Sequence, residues 1–327
     1  MNLIHSRPPH VRSHESNFTV MGDMVIALAP LYMMAYFFYG GYTLKLGAVS
    51  VVVCTILDFL CTFLSRRRVG VLDLSPVVTG LLIPLMLPAN VNLTPVVAAD
   101  LFAIGIIKQP FGGLGQNIFN PAAGGVAFAI LTWSGSLFRY PVPIESLGNA
   151  AARLVSSPAA SLRMGATPNL SFTDVFLGVY PGPMGGTGVL ILLACFGYLV
   201  IRKTINWRPT AAFLGTAALT AFCFPRINTG RFQSVFFELT SGLLLFGAIF
   251  LINDPSTSPK SGTTRTIYAA ISGVVVMAFR YLGAYEEGLA FAVLLMNAFS
   301  LFIDMRYEKI RHRERRELYA ERQTETI

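Results

Sequence analysis

Long apolar stretches, separated by short polar or charged breaks, run along almost the whole chain. Each stretch approaches the length at which a helix crosses a lipid bilayer. The first half contains five of them, at 24–41, 43–64, 76–90, 93–108 and 121–137, and the second half contains five more, at 184–202, 208–224, 234–252, 265–282 and 286–304. The pattern predicts an all-α integral membrane protein with about ten transmembrane helices.

The third stretch, 76–90, is interrupted by Pro84 and Pro88. Proline removes a backbone donor and clashes with the preceding helical turn. Several other stretches are also shorter than the ~20 residues that a straight crossing requires. We therefore expect broken or short helices here, which persist in membranes where they pack inside the protein or line a cavity.

Two short segments recur at nearly one spacing. Residues 125–131 (GVAFAIL) match 288–294 (GLAFAVL), and residues 79–82 (TGLL) match 241–244 (SGLL). Both matches pair stretches that are five spans apart, so the two copies would cross the membrane in opposite directions. This predicts two inverted five-span repeats, with sites near the midplane between broken helices. The alternative is that these short segments, which are rich in Gly, Ala and Leu, match by chance.

Composition supports a membrane protein and charge gives its orientation. Hydrophobic residues make up 54% of the chain and charged residues only 13%, against ~25% in soluble proteins. Of the 25 Lys and Arg, 18 fall on the side that carries both termini, which predicts cytoplasmic termini in a bacterial or archaeal inner membrane. The net charge of +8 is thus mainly a topology signal, and we expect no nucleic-acid partner.

These boundaries divide the chain into five parts. They are a cytoplasmic N-terminal segment (1–23), a first transmembrane repeat (24–137), an extracytoplasmic loop (138–183), a second transmembrane repeat (184–304) and a charged cytoplasmic tail (305–327). Mixed charges in the tail favour an exposed helix, with membrane lipid headgroups as a contact.

The loop at 109–121, QPFGGLGQNIFNP, is the first segment with candidate chemistry. Its glycines permit close approach of a ligand to the backbone, and its amides offer neutral donors and acceptors. A tight re-entrant turn, whose amides satisfy its own backbone, is the alternative. The candidate binding residues are Gly112, Gly113, Gly115, Gln116, Asn117 and Asn120.

Three acids, Asp58, Asp100 and Glu238, lie inside apolar stretches. An ionised group there is costly, so it usually faces a cavity or a partner. They are candidates for an ion or proton path; an interfacial position or a hydrogen bond to a neighbouring subunit are the alternatives. The four cysteines form no CxxC pair, so we expect no metal or iron–sulfur site.

Several segments resemble the RnfD/NqrB family of membrane subunits, and among them RnfD in particular. They are Ser75 with 79–82, 87–88, 112–122, 253–259, 285–288 and 295–299. An NqrB-like subunit of a sodium-pumping NADH:quinone reductase is the first alternative, although NqrB chains are typically longer. A urea-channel-like solute channel without flavin is the second, because inverted five-span repeats also build such pores.

The resemblance implies a subunit of a multi-subunit, redox-driven ion translocase. Such a complex passes electrons between ferredoxin and NAD⁺ and couples this to Na⁺ or H⁺ translocation. The implied partners are the other Rnf subunits, RnfA, RnfB, RnfC, RnfE and RnfG.

The resemblance also implies FMN, esterified through its phosphate to a threonine in the extracytoplasmic loop. The matching residue is Thr167, preceded by Gly165 and Ala166. A further, non-covalent riboflavin is implied as well.

The flavin-attachment segment departs from the family pattern in places. Met164 stands where the family has Ser or Thr, and Ser161 stands where it has Asp. The hydroxyls of Ser171 and Thr173 are alternative attachment points in the same loop.

Overall fold

The computed structural model describes residues 17–65, 73–113, 115–144, 153–228 and 230–324, with side chains as far as residue 311. Within these ranges the regular secondary structure is almost entirely helical. One short antiparallel ladder, of β1 (Tyr140–Pro141) and β2 (Leu154–Val155), lies in the central loop.

The helices follow the order of the predicted spans. The first half contains α1 (Asn17–Tyr39), α2 (Tyr42–Leu64), α3 (Ser75–Leu85), α4 (Leu93–Phe102) with a π-helical extension (Ala103–Lys108), and α5 (Pro121–Leu137). The central loop contains α6 (Pro158–Arg163) and α7 (Phe172–Leu177). The second half contains α8 (Val189–Ile201), α9 (Trp207–Cys223), α10 (Arg231–Thr240), α11 (Leu244–Phe246) with a π-helical extension (Gly247–Leu251), α12 (Gly262–Leu282) and α13 (Leu289–Thr324).

Several helices have the length and hydropathy of membrane spans. In the described residues four qualify: α1, α2, α12 and the Leu289–Arg311 part of α13. The bent pair formed by α10 and the Leu244–Leu251 segment adds a fifth. Since α3 and α8 are apolar but shorter, the protein is a multi-pass, all-helical membrane protein whose spans differ in length.

Helix α1 begins at Asn17 and so runs seven residues further towards the N-terminus than the apolar stretch that starts at 24. Asp23 marked the boundary in the sequence, but here it is a buried helical residue. Its carboxylate accepts hydrogen bonds from Tyr198 Oη at 3.2 Å, Arg202 Nε at 3.2 Å and Thr204 Oγ1 at 2.7 Å. These donors at the end of α8 compensate the charge, so the helix does not need to end there.

The structure has breaks in two places, one predicted in the stretch 76–90 and one not predicted in the stretch 234–252. Helix α3 ends at Leu85, directly after Pro84, and does not continue to residue 90. The stretch predicted at 234–252 bends by 64° between α10 and α11. Gly242 makes this break with φ of +70°, and a Cβ there would overlap the carboxylate of Glu287, so the turn requires glycine.

The remaining boundaries differ only at the ends. Residues 184–188 form turns before α8, and the last helix continues into the tail that was predicted to be an exposed helix. The core lies where α1 packs on α8, α5 on α13, α2 on α3 and α9 on α12.

Candidate functional site

The segment around Thr167 is held in place by a helix end on one side and a buried proline on the other. Helix α6 ends in a Schellman motif, in which Gly165 N–H donates to Leu162 O at 3.0 Å and Ala166 N–H to Ser161 O at 2.9 Å. The motif needs a left-handed residue, and Gly165 supplies it with φ of +73°. The chain therefore leaves α6 with Thr167 exposed and Pro168 buried.

Thr167 offers the freest hydroxyl of this segment. Within the described part of the chain it makes no hydrogen bond. Ser171 instead caps α7: its Oγ accepts from Asp174 N–H at 3.1 Å and lies 2.8 Å from Thr173 Oγ1. Met164, the departure from the family pattern, is 74% exposed, so its side chain is not part of the packed core.

The Thr167 segment lies against the end of α12. The guanidinium of Arg163 donates a hydrogen bond to the carbonyl of Ala284, and a Cβ on Gly165 would lie 3.6 Å from the carbonyl of Arg226. Arg226 in turn donates through Nη1 to the carbonyl of Arg280 at 3.1 Å. These contacts place the candidate attachment site beside the loop that joins α12 to α13.

A buried ionic network lies beneath this surface. Arg280, 1% exposed, donates through Nη1 to Glu238 O and through Nη2 to Ser241 O, both at 2.8 Å. It also pairs with the carboxylates of Glu238 at 3.3 Å and Glu287 at 3.4 Å, and Arg226 pairs with Glu238 at 2.6 Å. The network joins the α10–α11 break to α12 and to the loop after it.

Glu286 adds a second acid to this loop. Burial, followed by repulsion from Glu287, raises the pKa of Glu286 to about 7, against the opposing effect of hydrogen bonds from Tyr140 and Ser157. Its Oε1 is buried without a hydrogen-bond partner among the described residues. Burial thus favours the protonated form of this carboxyl group.

The loop at 109–121 turns through its glycines, which was the alternative interpretation of its sequence. Gly112, Gly113 and Gly115 have φ of +118°, +88° and +82°. Gly113 N–H donates to Lys108 O at 3.3 Å, and Gln116 N–H donates to Gly113 O at 3.1 Å. These residues and the Gln116 side chain are exposed or half-buried, so this half of the loop satisfies its own backbone.

The other half of the loop faces a cavity. Asn117 is 6% exposed, and its Oδ1 has no hydrogen-bond partner in the described part of the chain. The enclosed volume is about 50 Å³, which admits a few water molecules or one polar edge of a larger ligand. Its polar lining comes from Ser75, Thr79, Lys108, Asn117, Asn120, Asp254 and Ser256.

Asn120 connects this loop to the second half of the chain. Its Oδ1 accepts from Ala123 N–H at 3.0 Å and so caps α5. Its Nδ2 donates to Asp254 Oδ2 at 2.8 Å, and its backbone N–H donates to Asn297 Oδ1 at 3.0 Å. Asn297 then donates to Tyr268 Oη at 3.0 Å, so the loop is fixed to α12 and α13.

The three acids singled out from the sequence have different surroundings. Asp58 forms an ion pair with Lys108 at 2.8 Å, close to the cavity. Asp100 is fully buried and accepts from Ser50 Oγ at 2.7 Å, while its Oδ2 has no partner among the described residues. Glu238 belongs to the Arg280 network, so the three acids do not form one cluster.

The two candidate sites lie near opposite ends of α12. Tyr268, next to Asn297, is fourteen residues from Leu282, where α12 ends beside the Thr167 segment. At 1.5 Å per helical residue, this separates the sites by about 21 Å. The separation is a large part of the ~30 Å hydrocarbon thickness of a bilayer.

Sequence reasoning did not single out four residues of these sites: Lys108, Asp254, Arg280 and Asn297. The sequence did offer a reason to single out Arg280. A cation at the end of an apolar stretch needs either a buried partner or a position at the membrane–water interface. Asp254 and Asn297 lay in the segments that resembled RnfD, but only the contacts between helices distant in sequence show what they bind.

Comparison with known proteins gives one consistent result. The family model described as "NQR2, RnfD, RnfE family" matches residues 4–312. The chain is 33% identical over 309 residues to the D-type subunit of the Na⁺-translocating ferredoxin:NAD⁺ oxidoreductase complex of Acetobacterium woodii, covering 93% of both chains. It is 29% identical to the proton-translocating counterpart of Clostridium ljungdahlii, covering 95% of this chain and 96% of the relative. It is also 33% identical to the D-type subunit of an ion-translocating oxidoreductase complex of Stutzerimonas stutzeri, covering 87% and 89%.

Proposed function

Because the chain belongs to the NQR2, RnfD, RnfE family, we propose that it is the D-type membrane subunit of an ion-translocating ferredoxin:NAD⁺ oxidoreductase complex. The observation that carries this is similarity to D-type subunits along nearly the whole of both chains. It acts as part of a multi-subunit oxidoreductase, and its partners are the other subunits of that complex.

The subunit carries a flavin on Thr167, joined by a phosphoester between Thr167 Oγ and the phosphate of FMN. Support comes from the exposed position of Thr167, its free hydroxyl and the Schellman motif that turns the chain outwards. The competing hydroxyls of Ser171 and Thr173 are engaged with each other at the start of α7. When bound, the flavin supplies the capacity to accept and release electrons.

The cavity at the loop 109–121 is the second redox or ion site of the subunit. Asn117 Oδ1 offers a buried acceptor without a partner among the described residues, and Lys108 offers an ammonium group held by Asp58. This donor and acceptor set fits the polar edge of the non-covalent riboflavin, whereas a complete drug-sized ligand needs ~300 Å³ or more. The residues of this chain would therefore orient that edge from one side.

The architecture we propose is a ten-span inverted repeat with both termini in the cytoplasm. In support, helices in equivalent positions of the two repeats pack on each other, α1 on α8 and α5 on α13. With this orientation Thr167 is extracytoplasmic. Asp58 and Asp100 are then candidates for the path of the coupling ion, Asp58 beside the cavity and Asp100 in the first repeat.

Deletion of the chain and complementation test the function. Membranes without it should lose NAD⁺ reduction that depends on reduced ferredoxin, and the wild-type chain should restore it. The Thr167→Ala chain should restore assembly of the complex but not electron transfer. Unchanged ferredoxin-dependent activity in the deletion strain would exclude this role.

A further inference from the structure

One face of α2 carries a line of polar side chains along a membrane span. Ser50, Cys54, Asp58 and Thr62 follow one another at intervals of four residues, and residues that are four apart lie on the same face of a helix. From the first to the last, the line extends over about 18 Å at 1.5 Å per residue. We call these four residues the polar stripe of α2.

The buried end of the polar stripe binds a carboxyl group on α4. Ser50 Oγ donates to Asp100 Oδ1 at 2.7 Å, and the thiol of Cys54 hydrogen-bonds to the same side chain. Asp100 Oδ2, in contrast, is buried without a partner among the described residues. Tyr32 of α1 interacts electrostatically with Asp100, but its hydroxyl donates to Leu81 O at 2.9 Å. One oxygen of this buried carboxyl group is therefore left for a proton or for the hydrogen of a water molecule.

The other end of the polar stripe reaches the cavity at the loop 109–121. Asp58 pairs with Lys108 at 2.8 Å, and its carboxylate also accepts from Gln109 Nε2 at 2.7 Å. The same amide nitrogen donates to Thr62 Oγ1 at 3.2 Å. Lys108 Nζ donates to Ser75 Oγ at 2.6 Å, and both of these residues line the cavity. A chain of hydrogen-bonding groups therefore leads from the cavity to Asp58.

We propose that the polar stripe of α2 is a proton path that joins the cavity to the carboxyl group of Asp100. The proposal rests on the proposed function, in which Asp58 and Asp100 are candidates for the path of the coupling ion. Between Asp58 and Cys54 the path rises by one helical turn, about 6 Å, and one water molecule bridges such a gap. A hydronium ion in the cavity releases a proton and becomes water, and the Asp100 carboxylate becomes a neutral carboxyl group.

The side chains along the path fit a proton better than a metal cation. Na⁺ is a hard cation, and hard cations bind through several oxygen ligands. The described partners of the Asp100 carboxyl group are one hydroxyl and one thiol, and sulfur is a soft ligand. At the cavity end, Lys108 holds a positive charge next to Asp58, which repels a second cation.

Hydrogen–deuterium exchange of the Asp100 carboxyl group tests the path. Infrared spectra of the purified full chain in lipid should contain the carbonyl band of a protonated carboxyl group that is missing from Asp100→Asn. In heavy water this band should shift rapidly in the wild-type chain, because protons reach Asp100 along the stripe. Cys54→Val keeps a side chain of similar size but removes hydrogen bonding from the middle of the stripe, and it should slow the shift several-fold.

The matched control is Thr55→Val. Thr55 is the next residue of α2, but its side chain is exposed and its hydroxyl donates to Val51 O at 2.7 Å, so it lies outside the stripe. This variant should exchange at the wild-type rate. Equal exchange rates in Cys54→Val and the wild-type chain would overturn the proposal.

Two further results would overturn it without the Cys54 variant. One is that Asp100→Asn removes no carboxyl band at any pH at which the chain stays folded, because Asp100 then never carries a proton. The other is that the band exists but does not shift in heavy water while the chain is folded.

Addition of Na⁺ at constant pH separates the two kinds of ion. The Asp100 band should stay unchanged, and its loss would identify Asp100 as a cation ligand and overturn the proton path. None of these measurements needs ferredoxin or a partner subunit. Their failure would therefore leave the role of the chain as a subunit, which the deletion strain tests, unaffected.

Discussion

Replacing Arg280 with methionine removes the centre of the buried network that holds the α10–α11 break. The change deletes the hydrogen bonds to Glu238 O and Ser241 O and leaves the carboxylate of Glu287 without its cation. Arg226 still pairs with Glu238, so the loss concerns mainly Glu287. Removing one partner of a buried ion pair costs about 3–5 kcal/mol, and Arg280 and Glu287 are 1% and 3% exposed.

The assay is reversible unfolding of the purified chain in mixed micelles, followed by far-ultraviolet circular dichroism. We expect Arg280→Met to lower the free energy of unfolding by about 3 kcal/mol or more. Adding Glu287→Gln should recover part of that loss, since the uncompensated charge is then gone. Arg231→Gln, which removes an exposed cation stacked on Phe222, should cost less than about 1 kcal/mol. Equal small losses for both single arginine variants would show that the network contributes no buried charge pairing.

Three further outcomes follow from the structure. The raised pKa of Glu286 means that the fold favours its protonated form, so its stabilising contribution is complete below pH 4.5 and is lost as the pH rises through about 7. The contribution of Glu286 to the free energy of unfolding should therefore be larger at pH 5 than at pH 8, and Glu286→Gln should reduce this difference. Asn117→Leu should lower the riboflavin extracted per chain, whereas Gln116→Leu should not, because only Asn117 faces the cavity; equal contents would exclude the cavity as the binding site. Cysteines at Ser13 and Thr324 should resist an impermeant thiol reagent in intact spheroplasts, and labelling of either would contradict the orientation.

The apolar stretches were enough to predict the long helices and most of their ends, but not the short helices α6 and α7 of the central loop. The break at Pro84 was also visible, because proline carries its backbone consequences locally, whereas the bend at residues 241–244 was not predicted. The start of α1 was placed too late, because nothing near Asp23 in sequence shows that Tyr198, Arg202 and Thr204 would bind it.

The candidate sites were predicted only in part. Positive φ at the loop glycines and exposure of Thr167 follow from local sequence. The partners of Asn120 lie 134 and 177 residues away, and such pairings depend on tertiary packing. For Gly165, the resemblance indicated only a residue of the flavin-attachment segment, whereas the structure shows that its left-handed backbone ends α6.

The most direct test of the account is the chemical state of Thr167. Trypsin releases a peptide that begins at Met164 and ends at Arg202, so it also contains Ser171 and Thr173. Fragmentation of this peptide, from chain made with a flavin transferase, should place the mass of FMN less one water on Thr167. Thr167→Ala should abolish covalent fluorescence, and Ser171→Ala and Thr173→Ala should retain it. An unmodified Thr167, or covalent fluorescence that survives Thr167→Ala, would contradict the account.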